Sequence, residues 1–287
     1  MGTNTKRINT TSRYIRSNGT NRYKKPINKN NEFIENFFIK KGLKLLVDLS
    51  KKKKRSINQS IVNEPYIPEL DDLYNLYQYI IINKRTTILE FGSGWSTLIF
   101  SLALKELADK FSAEVKSLRR NNPFELFVIE NEKKYLNVTK NRILKFNKYL
   151  KIKNPIRIKY FLSDVEMTTF NGKICTQYKK LPLCNPDFIY LDGPDQFNVK
   201  GHINGISTRH KDMMPMVSDI LKFEYFYTPG TIIVCDGRAA NAKFLKDHFK
   251  RNWKYIDDQK NDQHIFRLAD PTLGKYNNLQ LEFYNKK

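Results

Sequence analysis

The chain has 287 residues, 40% of them hydrophobic, and carries a formal net charge of +22 at pH 7. This length allows one α/β domain and a smaller appendage. No apolar run reaches the roughly 18 residues that a membrane-spanning helix needs, and the three cysteines show neither a zinc-binding spacing nor a disulfide framework. We therefore expect a cytoplasmic protein with no transmembrane segment.

The N-terminal part of the chain is strongly basic. Residues 1–30 are rich in Asn, Thr, Lys and Arg and contain few large apolar side chains. Such a segment buries too little apolar surface to offset the entropy of ordering, so we predict a disordered basic tail over residues 1–30. A basic arm could bind nucleic acid, an acidic polymer or an anionic membrane, or it could simply be solvated, and these alternatives stay open.

Residues 31–60 are predicted to form a basic amphipathic helix and a linker. Ile34, Phe38, Leu45 and Leu49 fall at helical spacing within residues 31–49, and a run of cations follows them. This helix could lie on a membrane surface. Packing against the rest of the protein is the favoured alternative, because cations at the C-terminus of a helix are stabilised by its dipole.

A catalytic or binding domain is predicted over residues 61–287, with Pro65 and Pro68 near its start. Its first helix is indicated by apolar side chains at helical spacing, namely Leu70, Leu73, Tyr74, Tyr77 and Ile81.

Strands and helices then alternate along the chain. Strands are predicted at residues 86–91, 125–130, 156–162, 186–191 and 231–236, and helices near 95–110, 131–150, 212–226 and 238–251. Residues 253–257 and 264–268 predict a C-terminal antiparallel hairpin. This alternation is typical of an α/β fold with a Rossmann-like, mostly parallel sheet and helices on both of its faces.

The most informative segment joins the first strand to the next helix. It reads Glu90-Phe91-Gly92-Ser93-Gly94-Trp95-Ser96-Thr97. Glycines expose bare backbone to a ligand, and the N-terminus of the helix offers free N–H groups to an anionic group. Dinucleotides and S-adenosylmethionine both bind at such turns. The dinucleotide pattern requires a further glycine where Thr97 stands, which favours S-adenosylmethionine.

Acidic residues also close the other predicted strands. Glu130 ends the second strand, Asp164 follows the third, Asp192 the fourth and Asp236 the fifth. Ligands of open α/β sheets bind beyond the carboxyl ends of the strands, so we expect these acids to line one crevice. Each acid could instead only cap the helix that follows it.

These motifs and their order resemble the class I S-adenosylmethionine-dependent methyltransferases over residues 66–287. The resemblance implies a seven-stranded sheet, S-adenosylmethionine as cofactor, and contact of its methionine part with Gly92 and Gly94. It further implies that Glu130 holds the ribose and that Asp164 lies on the adenine side. The cofactor-binding set implied by the resemblance also includes Glu90, Ser93, Ser96, Thr97 and Asp192.

The methyl acceptor is predicted to be a hydroxyl of a small molecule or a carbohydrate. Asp192 is followed by Gly193 and Pro194, whereas the family's enzymes that methylate nucleic-acid bases carry Pro-Pro-aromatic there. Metal-dependent relatives place acids at the positions of Asp192 and Asp236, so both are candidate ligands for a divalent metal such as Mg²⁺. Gly237 stands where those relatives have Asn, and the metal stays an open alternative.

The long segment after the fourth strand, residues 192–212, is predicted to be a substrate loop. It carries His202 and His210, whose imidazoles titrate near neutral pH and could remove a hydroxyl proton. With Asp192 and Asp236 they form the predicted catalytic set, although either histidine could be an ordinary surface residue. Arg238 could bind an acidic acceptor or pair with Asp236.

Two alternative functions remain at this stage. The basic arm could hold RNA phosphates, which would make the protein an RNA methyltransferase. The chain could also be a non-catalytic binding protein on the same fold. The pattern of residues indicates no oligomeric state.

Overall fold

A computed structural model of the protein describes residues 23–52, 66–121 and 123–286. The helices are α1 (Asn31–Lys40), α2 (Lys44–Ser50), α3 (Leu70–Asn83), α4 (Trp95–Val115), α5 (Lys133–Tyr149), α6 (Asp219–Lys222), α7 (Ala239–His248) and α8 (Lys275–Asn285). The strands are β1 (Thr87–Phe91), β2 (Glu125–Glu130), β3 (Arg157–Leu162), β4 (Val165–Phe170), β5 (Lys173–Tyr178), β6 (Phe188–Leu191), β7 (Val199–Lys200), β8 (Ile232–Asp236), β9 (Trp253–Asp258) and β10 (Gln263–Leu268). Within these ranges no helix has the length and apolar character to cross a membrane.

The large sheet has seven strands in the order β3-β2-β1-β6-β8-β10-β9. Its first five strands pair in parallel, and β10 pairs antiparallel with both β8 and β9. Numbered along the chain within this sheet, the order is 3-2-1-4-5-7-6, whereas the dinucleotide-binding fold has 3-2-1-4-5-6. The predicted Rossmann-like sheet with its C-terminal antiparallel hairpin is therefore confirmed.

The central strands are buried on both faces, as expected for a parallel sheet covered by helices. Successive side chains alternate between the faces, so Ile88 joins the hydrophobic cluster under α3, α4 and α5. Its neighbour Leu89 joins the cluster on the other face, which includes Leu245 of α7. This packing holds the carboxyl ends of β1, β2, β6 and β8 at one edge of the sheet.

The predicted helix over residues 31–49 is instead two helices. Gly42 adopts a left-handed φ of +77° between α1 and α2 and breaks the helical phase. Ile34 and Phe38 are buried as expected, whereas Leu45 is 47% exposed because the turn rotates α2 and buries Leu46 in its place. Both helices share a hydrophobic cluster with α3 and α4, which corresponds to the packed alternative for this segment.

Residues 23–30, which the composition assigns to a disordered tail, lie against α3. The backbone N–H of Lys24 donates to Asn83 Oδ1 at 2.9 Å, and that of Ile27 donates to Gln78 Oε1 at 3.0 Å. These side-chain amides supply the partners that the composition could not reveal, so the tail prediction is corrected for residues 23–30. Its remainder, residues 1–22, and the cationic run at residues 53–55 lie outside the described residues.

A small second sheet, β5-β4-β7, was not predicted. Its hairpin of β4 and β5 lies between β3 and β6 in the chain. The predicted helix over residues 212–226 is wrong, because Val217 instead bridges to Thr176 of β5 and the Thr176 N–H donates to the Met216 carbonyl. Pro215 lacks the N–H that a helix interior needs. Only α6 and a 3₁₀ turn (Glu224–Phe226) remain of this helix.

Candidate functional site

The turn after β1 is held by hydrogen bonds to the buried side chain of Glu90. This carboxylate is fully buried and accepts hydrogen bonds from Ser96 Oγ at 2.5 Å and Thr97 Oγ1 at 2.8 Å. Thr97 Oγ1 in turn accepts the N–H of Gly94 at 3.1 Å. Burial raises the pKa of Glu90 to about 8, and the two hydroxyl hydrogen bonds oppose that rise. The structure thus places Glu90, Ser96 and Thr97 inside the turn, where they set its shape.

The turns after β1 and β6 meet through bare backbone. Gly92 has a φ of +98°, and a Cβ added there would lie 3.0 Å from the backbone N of Gly193. A Cβ added to Gly193 would lie 2.5 Å from the backbone N of Gly92. Any side chain at either position would push the two strand ends apart.

Gly94 differs from this pair. Its φ of −172° is extended backbone, and an added Cβ would approach only Ser96 Oγ, at 3.8 Å. The protein itself therefore has room for a side chain at Gly94. The bare backbone at this position faces space that a ligand could fill.

Glu130 lies beside the glycine turn at the end of β2 and is 3% exposed. Its Oε1 accepts the N–H groups of Asn131 at 2.8 Å and Glu132 at 3.0 Å, and its Oε2 accepts the hydroxyl of Ser93 at 2.9 Å. Burial raises the pKa of Glu130 to about 7, whereas these hydrogen bonds lower it. Because a carboxylate oxygen accepts two hydrogen bonds, Oε2 retains capacity for a ligand hydroxyl.

Asp164 follows β3 on the far side of Glu130. The N–H of Ser163 donates to the Glu130 carbonyl at 2.9 Å, which holds the two strand ends together. The Asp164 side chain is 57% exposed, and its carboxylate lies 4.0 Å from Lys179 Nζ. It is therefore accessible to a ligand at this end of the crevice.

Asp192 and Asp236 come together at the ends of the neighbouring strands β6 and β8. The hydroxyl of Tyr190 donates to Asp236 Oδ2 at 2.5 Å. Asp192 is 55% exposed, and Arg238 Nε lies 3.9 Å from its Oδ1, beyond hydrogen-bond distance. The protein atoms around Asp192 raise its pKa to about 7 by desolvation, and its side chain stays accessible to a ligand. The Arg238 charge opposes this rise, and the Asp236 charge adds to it.

The arrangement does not fit a Mg²⁺ site. Among residues 23–52, 66–121 and 123–286, no three His, Cys, Asp or Glu side chains are grouped closely enough to hold a metal ion. One candidate ligand, Asp236, already accepts the Tyr190 hydroxyl, and the positive charge of Arg238 lies 3.9 Å from the other, Asp192. Mg²⁺ needs an octahedral set of oxygens, and we assign no metal here.

Hydrogen bonds hold the predicted substrate loop together, and its two histidines lie on its surface. Gln196 Nε2 donates to the carbonyl of His210 at 3.0 Å, which ties the two halves of the loop together. His202 and His210 are both exposed. No hydrogen bond or ion pair in the described part of the chain joins either imidazole to Asp192 or Asp236. The structure therefore brings the two predicted acids together and leaves both histidines as separate candidates.

Several groups around the crevice were missed by sequence reasoning. Tyr190 could have been found, since it lies two residues before Asp192 in the same strand. Asp72 also carried a signal as an acid in the first turn of α3. Burial raises the pKa of Asp72 to about 8, and the Asp236 charge adds to the rise. Tyr178 carried no signal, because β5 itself was not predicted.

Comparison with known proteins gives structural neighbours only. No protein-family model matches the chain, and no curated protein matches its sequence. One solved structure that matches is the SAH-bound methyltransferase PaMTH1 of Podospora anserina. It is 14% identical, with 85% of this chain and 99% of that chain covered and a TM-score of 0.40.

Another match is a Staphylococcus aureus protein described as a caffeoyl-CoA O-methyltransferase, at 13% identity and a TM-score of 0.37. The alignment covers 79% of this chain and 98% of that chain. Both neighbours are methyltransferases by name. At these identities and TM-scores the likeness assigns no ligand, activity or residue role to this chain, so its function is argued from the site.

Proposed function

We propose that the protein is an S-adenosylmethionine-dependent methyltransferase that methylates a hydroxyl of a small molecule or carbohydrate. The observation that carries this proposal is the juxtaposition of the glycine turn with buried Glu130, joined by Ser93 at 2.9 Å. This pair lies on a sheet whose strand order differs from that of the dinucleotide-binding fold.

The residues present fit the cofactor. Gly92 and Gly94 offer bare backbone to its methionine part, and Oε2 of Glu130 has a free lone pair for a ribose hydroxyl. We assign Asp164, which is accessible at the end of β3, to accept a hydrogen bond from the adenine amino group. When bound, S-adenosylmethionine supplies an electrophilic methyl group. The ends of β6 and β8 are then left for the acceptor.

Asp192 is the proposed proton acceptor. Its carboxylate is accessible in the crevice, and its pKa of about 7 matches the requirement for a general base near neutral pH. Asp192 would take the proton that the acceptor hydroxyl releases when its oxygen is methylated and S-adenosylhomocysteine leaves. His202 and His210 stay predicted alternatives for this role.

Methyl transfer is tested with purified full-length protein, methyl-labelled S-adenosylmethionine and a panel of phenols, sugars and uronic acids. We expect label in a methyl ether, with activity unchanged by a chelator. Asp192→Asn should lower kcat by about 10²-fold or more, the usual contribution of a general base. The affinity of this variant for S-adenosylhomocysteine should stay close to that of wild type, and a loss of affinity would instead support the cofactor-binding role that the resemblance implies for Asp192.

Ligand-induced stabilisation gives the decisive control. S-adenosylhomocysteine at 100 times its Kd should add about 2.7 kcal/mol to the free energy of unfolding. A melting temperature that does not respond to S-adenosylmethionine or S-adenosylhomocysteine would refute the proposed cofactor and the enzyme function with it.

A further inference from the structure

Arg238 is a buried cation with unused hydrogen-bond donors. Its side chain is 10% exposed. Nη2 donates to the carbonyls of Asp192 at 2.6 Å and Pro194 at 3.2 Å, whereas Nε and Nη1 have no acceptor among the described residues. A guanidinium has five N–H donors and cannot accept a hydrogen bond. Burying donors of a charged group without partners is costly, so these atoms call for a ligand.

Tyr178 carries a second buried donor without a partner. The residue is 4% exposed, its ring packs against Phe91 with centroids 5.6 Å apart, and its hydroxyl has no partner in the described chain. Burial raises the pKa of Tyr178 well above its usual value, with Glu130 adding to the rise and Arg238 opposing it. The hydroxyl is therefore protonated at neutral pH and can donate a hydrogen bond.

The topology places Arg238 beside the acceptor rather than beside the cofactor. Arg238 follows β8, and β6 separates β8 from β1, whose glycine turn is proposed to hold the cofactor. The Nη2 hydrogen bonds of Arg238 also reach the segment after β6, which carries Asp192. The guanidinium thus lies next to the carboxylate proposed to take the acceptor's proton.

We propose that Arg238 and Tyr178 bind an oxyanion of the methyl acceptor, so that the substrate is an acidic molecule carrying a carboxylate or phosphate group. This inference rests on the proposed methyltransferase function. A guanidinium and a phenol donate to oxyanions through strong, charge-assisted hydrogen bonds.

The carboxyls near this site repel a bound anion less strongly than fully ionised carboxylates would. The pKa values of Glu130 and Asp192 are both raised to about 7, chiefly by burial. Both shifts favour the neutral acid and so lessen the negative charge near the guanidinium. The positive charge of Arg238 is fixed, because a guanidinium keeps its proton throughout this range.

The test uses full-length protein saturated with S-adenosylhomocysteine and two probe anions, inorganic phosphate and acetate, in calorimetric titrations. We expect wild type to bind at least one probe. Arg238→Gln should weaken that binding by about tenfold or more and Tyr178→Phe by about threefold or more, in line with a charged and a neutral hydrogen bond. Lys250→Gln is the matched control, because it removes an exposed cation and should leave the affinity near wild type. Equal affinity in all three variants and wild type would overturn the proposal.

A thermal readout separates ligand binding from a structural role for Tyr178. Tyr178→Phe removes a buried hydroxyl that has no partner and keeps the ring on Phe91. The melting temperature of the ligand-free variant should therefore equal or exceed that of wild type. A lower melting temperature would show that the hydroxyl serves the fold and would overturn its assignment to the acceptor.

The cofactor also carries a carboxylate in its amino-acid tail. Binding of that tail by Arg238 must therefore be distinguished from binding of the acceptor. The probe is 5′-methylthioadenosine, which lacks the amino-acid tail of S-adenosylhomocysteine. We expect Arg238→Gln to change the affinity for neither compound. If it weakens S-adenosylhomocysteine alone, Arg238 binds the cofactor tail and the inference is overturned. If wild type binds neither nucleoside, the proposed methyltransferase function fails instead, whatever the probe anions show.

Discussion

The hydrogen bond from Ser93 to Glu130 spans 37 residues of chain and joins the first two strand ends at 2.9 Å. Its partners were expected separately, Ser93 from the glycine turn and Glu130 from the acid that ends β2. Their contact depends on the pairing of β1 with β2, in which Phe91 lies opposite Ile129. Local sequence therefore supplies the two hydrogen-bonding side chains, and the register of the strands brings them together.

Two glycine substitutions distinguish a ligand site from a structural turn. Gly94→Ala should leave the melting temperature close to wild type, since its Cβ approaches only Ser96 Oγ at 3.8 Å. It should weaken binding of S-adenosylhomocysteine by about tenfold or more, or about 1.4 kcal/mol, because the methyl group fills ligand space. Gly92→Ala should instead destabilise the protein by about 1–3 kcal/mol, given its φ of +98° and its contact with Gly193. Wild-type affinity in Gly94→Ala would place the ligand elsewhere.

Cofactor affinity should depend on pH through Glu130. The ribose hydroxyls donate to the ionised carboxylate, whose pKa burial raises to about 7 in the free protein. Affinity for S-adenosylhomocysteine should therefore be highest above pH 7 and fall as Glu130 is protonated below it. Calorimetry between about pH 5.5 and 8.5 covers this titration. Glu130→Gln, which cannot titrate, should bind more weakly and show a flatter profile, and a profile as steep as that of wild type would assign the pH dependence to another group.

At the scale of elements, α1 and α2 form part of the packed domain. Phe37 makes edge contacts with Tyr74 and Tyr77 at centroid distances of 4.9 and 5.1 Å. Lys41 and Tyr77 both bond to Glu106 of α4. These contacts fasten the N-terminal helices to the helix that begins at the glycine turn.

Removing a buried ring from α1 should therefore lower the stability of the whole domain. Phe38 is 1% exposed, and Phe38→Ala should cost about 3–5 kcal/mol of unfolding free energy, as expected for a buried Phe. The control is Phe33→Ala on the same helix, where the ring is 45% exposed and the loss should stay below about 1 kcal/mol. Urea unfolding measures both variants. Equal, small losses would show that α1 is not part of the cooperative core.

At the scale of the whole molecule, the described N-terminal residues belong to the folded unit. Asn83 is 1% exposed, and it accepts the N–H of Lys24 while its Nδ2 donates to the Lys24 carbonyl at 3.0 Å. The basic arm considered as a nucleic-acid partner begins before these contacts. Its role in binding RNA or an acidic polymer stays a prediction.

Two truncations test where the domain begins. Deletion of residues 1–22 should leave the melting temperature and the affinity for S-adenosylhomocysteine unchanged, because it keeps the hydrogen bonds of Lys24 and Ile27 to α3. Deletion of residues 1–30 should lower stability by about 1–3 kcal/mol, since it removes the N–H donors of Lys24 and Ile27 from the buried side-chain oxygens of Asn83 and Gln78. Loss of RNA binding in the shorter deletion, with cofactor affinity kept, would favour the RNA-methyltransferase alternative.

The sequence by itself was sufficient to predict the positions of the main strands and of the glycine turn. Apolar runs such as residues 125–130 and 231–236 are short and bounded by acids, and the matching strands β2 and β8 agree with them almost residue for residue. Local patterns suffice here because a strand buried on both faces must be apolar throughout. The acids at the strand ends were predicted from the same pattern, because they bound the apolar runs.

Only the tertiary structure decided the second sheet and the chemistry that it brings to the crevice. The side chains of β4 are mostly half-buried, so the strand lacks the apolar run that marks β1. Its pairing with β5 and β7 is defined by the tertiary structure alone. The unpaired donors of Arg238 and Tyr178 were equally beyond prediction, because whether a polar group has a partner depends on residues distant in the chain. Local periodicity determines the type of element, whereas long-range packing determines which side chains face one another.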